Sequence, residues 1–566
     1  MFSNMKRDEI RNNLTDEAFD VLVIGGGITG SGIALDATTR GMSTALLEMQ
    51  DFAAGTSSRS TKLVHGGLRY LKQLDVKVVA EVGKERAIVY ENGAHVTKPE
   101  WMLLPFHQGG TFGSFTTSIG LRVYDFLAGV KKSERRVMLN KQETLNKEPL
   151  IKQDGLKGGG YYVEYRTDDA RLTIEVLKAA VDKGTKALNY AKAEDLLVEN
   201  GQVVGVKAVD LLTGQSFDVR AKKVINATGP WVDSIREKDG SKTGKTLTLT
   251  KGVHIVIDQS RFPLKQAVYF DTPDKRMVFA IPRNGKTYVG TTDTFYNSDP
   301  ISPRMTKEDM DYLINAINFM FPEVKTTAAD VESSWAGVRP LIREEGKDAS
   351  EISRKDEIWK SPTGLITIAG GKLTGYRKMA ETIVDLVARE LQSEENRAFP
   401  PCQTKRLPIS GGDFGGSALF DQFVTAAAQQ GRKAGLSQEE AVHLAAFYGS
   451  NAPRVFELFQ HHKKEAERYG IPDVIFAKLI YGLEHEMIAT PVDFYFRRTG
   501  DLLFDVESVQ KWKTAVCSYM AHKFQWSKGD ISKRTAELDA ELEAAALAGA
   551  RPRSAGKDLR VSTRLG

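Results

Sequence analysis

The sequence predicts an α/β protein with a helical C-terminal region, and three observations carry that reading. A continuous apolar run, Phe19 to Ile24 (FDVLVI), leads into the glycine turn GGGITG at 25–30 and then the helical segment SGIALDATTRG. A run of this kind is what a parallel strand buried on both faces requires. From about 161 to 335 strand patterns dominate, and beyond Pro400–Pro401 the pattern is almost wholly helical to about 547.

The elements follow in order. A short polar arm precedes the first strand. A second apolar strand, Thr44 to Leu47, completes one βαβ unit and ends at Glu48. Residues 93–160 read as less regular. Asp168 to Lys183 reads as an amphipathic helix, followed by strands near 187–198 and 203–209 and a buried strand at Lys223–Ala227 (KVINA) that runs into Thr228–Gly229–Pro230. Strands such as VHIVID, MVFAIP and TYVGTTD surround one helix near 306–320. The last strand, Leu365 to Ala369, meets GGKLTGYRK and a long helix to about 395.

Size and composition narrow the function. A chain of 566 residues implies two or three domains. With 41% hydrophobic and 27% charged residues it is an ordinary globular enzyme in composition. A net charge of +5 demands no nucleic-acid partner. The two cysteines, Cys402 and Cys517, form no CxxC or Cys/His cluster, so no metal or dithiol chemistry is expected and both read as reduced thiols of a cytoplasmic protein. No run of about 18 apolar residues predicts a membrane span, and the N-terminus is no signal peptide. Attachment to a membrane surface needs only an amphipathic patch.

Gly25, Gly27 and Gly30 form G-x-G-x-x-G between strand and helix. The first permits the tight turn, the second lets backbone approach a pyrophosphate, and the third lets the helix pack on the strand. The helix N-terminus offers free N–H groups to phosphate. Glu48, eighteen residues after Gly30, stands where a carboxylate accepts both ribose hydroxyls. These features alone do not separate FAD from NAD. The segment DFAAGTSSRSTKLVHGGLRYL at 51–71 does, because its glycines and hydroxyls can place backbone N–H groups around a long, buried cofactor that reaches into a second domain.

At this point the motifs become specific. STKLVHGGLRYL (60–71), NATGPWVD (226–233), KGVHIV (251–256), AIPRNGKTYVGTTDT (280–294), WAGVRPL (335–341) and GGKLTGYRKMAE (371–381) together resemble the FAD-dependent glycerol-3-phosphate dehydrogenases, of the D-amino acid oxidase-like fold group. The blocks cover about 19–395 in order. The resemblance implies a Rossmann-like FAD-binding domain interleaved with an antiparallel-sheet substrate domain, plus an all-helical C-terminal domain. The expected boundaries are 17–92, 161–249 and 336–396 for the FAD domain, 93–160 and 250–335 for the substrate domain, 400–547 for the helical domain, and a disordered tail at 548–566. It also implies oxidation of sn-glycerol 3-phosphate to dihydroxyacetone phosphate, with electrons passing through FAD to a membrane quinone. A peripheral contact with the inner face of the cell membrane accompanies that reading, and a homodimer is the assembly considered.

The chemistry assigns roles. The substrate carries a dianionic phosphate and a secondary alcohol, so the site must grip the phosphate, position C2 and remove a proton. Arg69 and Arg339 are the expected phosphate ligands, since a guanidinium fork matches phosphate oxygens; a surface ion pair is the alternative for each. Tyr70 can add a hydroxyl. His65, between Val64 and Gly66, is the expected base. Lys372 can place a cation beside the flavin N1–C2=O edge, and His254 and Arg283 are weaker substrate contacts. His65, Lys372 and Arg339 make up the expected catalytic set. For the cofactor, Lys62, Leu63 and Val64 are expected along the isoalloxazine, largely through backbone groups, with Thr61 also a cofactor contact, Gly229 where the chain passes close, Ala193 beside adenine, and Gly371, Lys372, Leu373 and Thr374 at a helix N-terminus facing the pyrimidine edge. An oxidase that hands the electrons to oxygen shares the same half-reaction and is the principal alternative. An amine or amino-acid oxidase needs no doubled phosphate clamp, and a flavin-binding sensor that uses its helical region as a partner module ranks below both.

Overall fold

The computed structural model describes residues 2–64, 76–111, 135–344 and 355–546, with side chains from 81 onward in the second segment. Two sheets and a helical region make up the molecule. The first sheet has eight strands. Its main path runs Glu357–Lys360, Ile366–Ala369, Ser216–Asn226, Ala18–Ile24, Thr44–Leu47, Lys186–Leu188. All neighbours on that path are parallel except the first pair. An antiparallel arm, Ala191–Glu199 and Gln202–Asp210, extends from Ser216–Asn226. In Ala18–Ile24 every residue after the first is buried, which is why the strand reads as an unbroken apolar run. The helix Ile28–Thr39 covers it and packs between the helices Asp169–Asp182 and Tyr376–Glu395.

The second sheet has ten strands. It is antiparallel throughout except where Ala267–Asp271 lies parallel to Thr97–His107. Its spine is a long ladder, Lys245–Asp258 against Val331–Glu344, in which Gly252 faces Gly337. One face packs on the helix Lys307–Met320 around Ile317, Phe321 and Phe270. The other, through Met102, Tyr162, Tyr288 and Trp335, shares one apolar core with the helical region. Within 402–546 the described residues contain no strand, and the helices run from Phe420–Lys433 to Lys528–Ala546.

Strand pairing departs from the expected boundaries in places. Leu156–Thr167 and Leu63–Val64 pair in the second sheet, and Lys245–Asp258 and Val331–Glu344 lie in it over their full length. Residues 161–167, 245–249 and 336–344 therefore group with the substrate sheet. Thr97–His107, within the stretch read as less regular, is an eleven-residue strand that contains Pro99 and Pro105. On its second side it is paired only at Met102 and Leu103, so neither proline withholds a ladder hydrogen bond there. The N-terminal arm is docked rather than loose: Phe2 stacks on Phe52 at 5.7 Å, and Arg7 pairs with the buried Asp210 at 2.8 Å. The expected disordered tail lies outside the described residues.

Candidate active site

A cavity of about 620 Å³ lies between the sheets, within the range that binds small molecules and cofactors. The glycine turn forms one wall. Gly25 sits at φ +113°, and a β-carbon there would come 2.5 Å from the Ala227 carbonyl oxygen. A β-carbon on Gly30 would fall 1.9 Å from the Gly25 carbonyl oxygen, so helix and strand meet only because residue 30 is glycine. The helix Ile28–Thr39 begins at Gly27 with no side-chain cap on that residue. Its N-terminus faces the cavity, where Gly27, Ile28 and Thr29 are wall residues. Those are the features that receive a pyrophosphate.

Glu48, at the end of the second strand, also lines the cavity. Its carboxylate accepts the Gly26 amide at 2.7 Å and the Gln50 amide at 2.7 Å. Burial pushes this carboxyl above its ordinary value, and the two amides oppose the shift. The following loop folds back on the turn. Ala53 donates its amide to the Gly26 carbonyl at 3.1 Å, and Ser57 Oγ accepts the Ile28 amide at 2.9 Å. Ala54, Gly55, Thr56, Ser57, Ser60, Thr61 and Leu63 all reach the cavity. Trp231 stands 3.3 Å from where a β-carbon on Gly55 would be, so a side chain there would crowd the ring.

At the substrate-sheet end, Gly252, Gly337 and Arg339 line the same cavity. Arg339 Nη1 lies 3.2 Å from Asp293, and Nη2 donates to Thr291 Oγ1 at 2.9 Å. The side chain is about 31% exposed, which leaves the guanidinium reachable. Behind it His254 lies flat on Trp335, ring centroids 4.7 Å apart, and its Nε2 meets Thr61 Oγ1 at 3.1 Å. Burial drives the His254 pKa well below the ordinary value, and the charges of Arg339 and Lys62 add to it, so the ring is neutral at physiological pH.

The structure brings together most of the expected cofactor residues. Gly25, Gly27, Glu48, Thr61, Leu63, Ala193, Gly229, Gly371, Lys372, Leu373 and Thr374 all line the cavity, and Gly30 packs behind it. The expected helix N-terminus is stepped: a short 3-10 turn, Leu373–Gly375, precedes Tyr376–Glu395, with Lys372 at its cap position. Lys62 and Val64 are not among the lining residues. Lys62 turns inward at φ +58° and donates to Asp169 Oδ1 at 2.7 Å. Arg283 is also outside the lining, paired with Asp168 at 2.8 Å and stacked over the Phe504 ring at 4.3 Å. His254 lies one layer behind the wall. His65, Arg69 and Tyr70 lie outside the described residues. Sequence reasoning missed Ser57, Trp231, Gly252 and Gly337. The signal for the two glycines was present in KGVH and WAGVR, where a strand pattern carries an interior glycine.

The donor set suits FAD: bare backbone and a helix N-terminus for the pyrophosphate, a carboxylate for the ribose, and a hydroxyl-rich loop for the rest of the molecule. Such a turn, acid and loop define a flavin-dependent oxidoreductase. In agreement, the FAD dependent oxidoreductase family matches residues 20–377, and the C-terminal domain of alpha-glycerophosphate oxidase matches 402–531. The chain is 65% identical over 538 residues to the aerobic glycerol-3-phosphate dehydrogenase of Bacillus subtilis, covering 95% of this chain and 97% of that protein. It is 58% identical to that of Staphylococcus haemolyticus, over 96% of this chain and 98% of the other. The FAD-complexed structure of glycerol-3-phosphate dehydrogenase from Bacillus halodurans superimposes with a TM-score of 0.85 at 52% identity, covering 96% of this chain and 99% of that one. At 18% identity and a TM-score of 0.54, the L-alpha-glycerophosphate oxidase of Mycoplasma pneumoniae shares the fold over 68% of this chain and 97% of its own. The chain belongs to the FAD-dependent glycerol-3-phosphate dehydrogenase family, and its cofactor is FAD.

Proposed function

We propose that the protein oxidises sn-glycerol 3-phosphate to dihydroxyacetone phosphate and passes the electrons to a quinone. The observation that carries this reading is the sharing of one cavity by the dinucleotide turn and Arg339. Bound flavin supplies the acceptor for the hydride that leaves C2. The chain's own residues do the rest. Arg339 is a permanent cation, held in place by Asp293 and Thr291, and it takes the substrate phosphate. Arg69 and Tyr70 complete that grip. Lys372, on the same cavity wall, places positive charge where negative charge develops during transfer. The hydroxyl proton goes to His65. His254, neutral and stacked on Trp335, shapes the wall and does not act as a cation.

The names of the curated relatives support the substrate, and their word "aerobic" suits an acceptor in a respiratory chain. No helix among the described residues is long and apolar enough to cross a membrane, so contact with a quinone pool is read as peripheral. A homodimer is the assembly proposed.

Anaerobic addition of glycerol 3-phosphate to the purified yellow protein tests the reading. The oxidised-flavin absorbance is expected to bleach within the mixing time. Persistence of the yellow colour would overturn it. Reoxidation by a quinone analogue without peroxide supports the dehydrogenase; rapid reoxidation by oxygen with stoichiometric peroxide would make it an oxidase.

A further inference from the structure

One short segment of the helical region touches the cofactor loop at both of its ends. It is the π-helical turn Asp493–Arg498, sequence DFYFRR, and all six of its residues are buried. Two adjacent arginines in such a place need a partner, because an unpaired buried cation is costly. They share Asp51, at the start of the loop. Arg497 Nε donates to Asp51 Oδ2 at 2.6 Å; Arg498 Nη1 donates to the same oxygen at 2.6 Å, and its Nη2 to Oδ1 at 2.9 Å. Asn189 Nδ2 gives a fourth hydrogen bond to Oδ1 at 3.0 Å. At the far end of the loop the guanidinium of Arg59 lies 5.4 Å from the centroid of the Phe496 ring.

Between those anchors the loop is bonded to the glycine turn through Ala53–Gly26 and Ser57–Ile28. A continuous path of contacts thus joins Arg498 to the helix N-terminus that receives the pyrophosphate. A second path joins Arg497 to the ribose carboxylate. Glu48 is buried beside Asp51, whose charge pushes the Glu48 carboxyl up, while Arg497 pulls it down. Tyr190 adds a brace, donating its hydroxyl to Asp493 at 2.7 Å and its amide to the Gln50 carbonyl at 2.8 Å. A buried ionic cluster adds little net stability over a packed apolar core, but it accepts only one arrangement. That property suits a part whose position matters.

The geometry points to a cofactor-clamping role for the helical region: the turn Asp493–Arg498 fixes both ends of the loop 51–59 against the glycine turn, and Arg497 and Arg498 are positioning residues for FAD that act through Asp51. This rests on FAD occupying the cavity described above.

Titration of the apoprotein with FAD, read by flavin fluorescence, tests it. Arg498→Met leaves the two buried carboxylates Asp51 and Asp493 to share Arg497 and is expected to raise the FAD Kd about tenfold or more, chiefly through faster release. The double variant Asp51→Asn/Arg498→Met is expected to recover part of the loss, since no buried charge is left unpaired. Lys513→Ala is the control. It removes the Lys513–Asp539 pair, 2.5 Å, which ties the last two helices together, and is expected to leave the Kd within about twofold. Should Arg498→Met not fold, Phe496→Leu decides the matter: it keeps the core filled, removes the ring from under Arg59, and is expected to raise the Kd about threefold. An unchanged Kd in the folded variants, or a Lys513→Ala variant that loosens FAD equally, would overturn the clamp. A wild-type chain with no affinity for FAD would overturn the cofactor assignment instead.

Discussion

Glu48 and Gly26 are joined by a hydrogen bond of 2.7 Å from the glycine amide to the carboxylate, so the acid proposed for the ribose and the turn proposed for the phosphates form one preassembled unit. A carboxylate has about four lone-pair positions. The amides of Gly26 and Gln50 occupy two, which leaves two for a pair of ribose hydroxyls. Glu48→Gln replaces one acceptor oxygen with an NH₂ group that has no acceptor to face at the amides. The FAD Kd is expected to rise about tenfold, measured by fluorescence titration, with the fold retained by circular dichroism. A Kd unchanged from wild type would remove Glu48 from the ribose site.

Arg339→Ala is expected to raise KM for glycerol 3-phosphate about 10- to 100-fold, because hydrogen bonds to a charged phosphate are the strong ones. Arg339→Lys should recover part of the loss as a point charge without the fork. Steady-state kinetics with a dye acceptor measures both. Equal losses for a substrate lacking the phosphate would show that Arg339 does not bind it.

Gly252→Ala puts a β-carbon 2.4 Å from both Arg339 Nη2 and Thr291 Oγ1. Side chains must give way, since the backbone has no strain at this position. KM is expected to rise about tenfold with the flavin spectrum unchanged. A spectrum shifted as strongly as the KM would place the effect at the cofactor instead.

Acid should unfold the protein in two stages. His95 is buried and held at about 4, chiefly by burial, and His254 lies well below its ordinary value for the same reason. Their folded pKa values are depressed, so the unfolded chain takes up protons first, and stability falls as pH drops below about 6.5. For His95 alone the loss approaches about 3 kcal/mol by pH 4. Asp51 and Glu486 are held at about 2, where the charges of Arg497, Arg498, Arg171 and Lys178 outweigh the burial that acts in the opposite direction. Their contribution is complete above the unfolded carboxylate range, about 4, and disappears as pH falls toward 2. Denaturant midpoints at pH 7, 5.5 and 4 should therefore decline steadily, with flavin release below pH 4. A flat profile from pH 7 to 4 would contradict the histidine assignment.

Much of the site was readable because its parts are local. The strand, glycine turn, helix and Glu48 follow one another within about thirty residues, and each carries its own pattern. What escaped was set by partners far along the chain. Lys62 lies in a motif that suggests flavin contact through backbone groups, and Asp169, more than a hundred residues on, takes its side chain. Arg283 is likewise engaged by Asp168 and Phe504. The strand Thr97–His107 lies in a stretch read as less regular, and its partner strand, Leu156–Thr167, stands far along the chain. Nothing near Arg497 and Arg498 announces that they serve a carboxylate more than 440 residues away.

The Gly252–Gly337 rung has a further consequence for anyone seeking to alter selectivity. At that rung the cavity is bounded by main chain alone, and a methyl on Gly337 would strike the Arg59 carbonyl oxygen at 2.2 Å. Truncation cannot widen a wall that has no side chains left to shorten. A mutant library aimed at bulkier phosphorylated alcohols would find its useful positions among the lining side chains, such as Ile301 and Thr61, where there are atoms to remove.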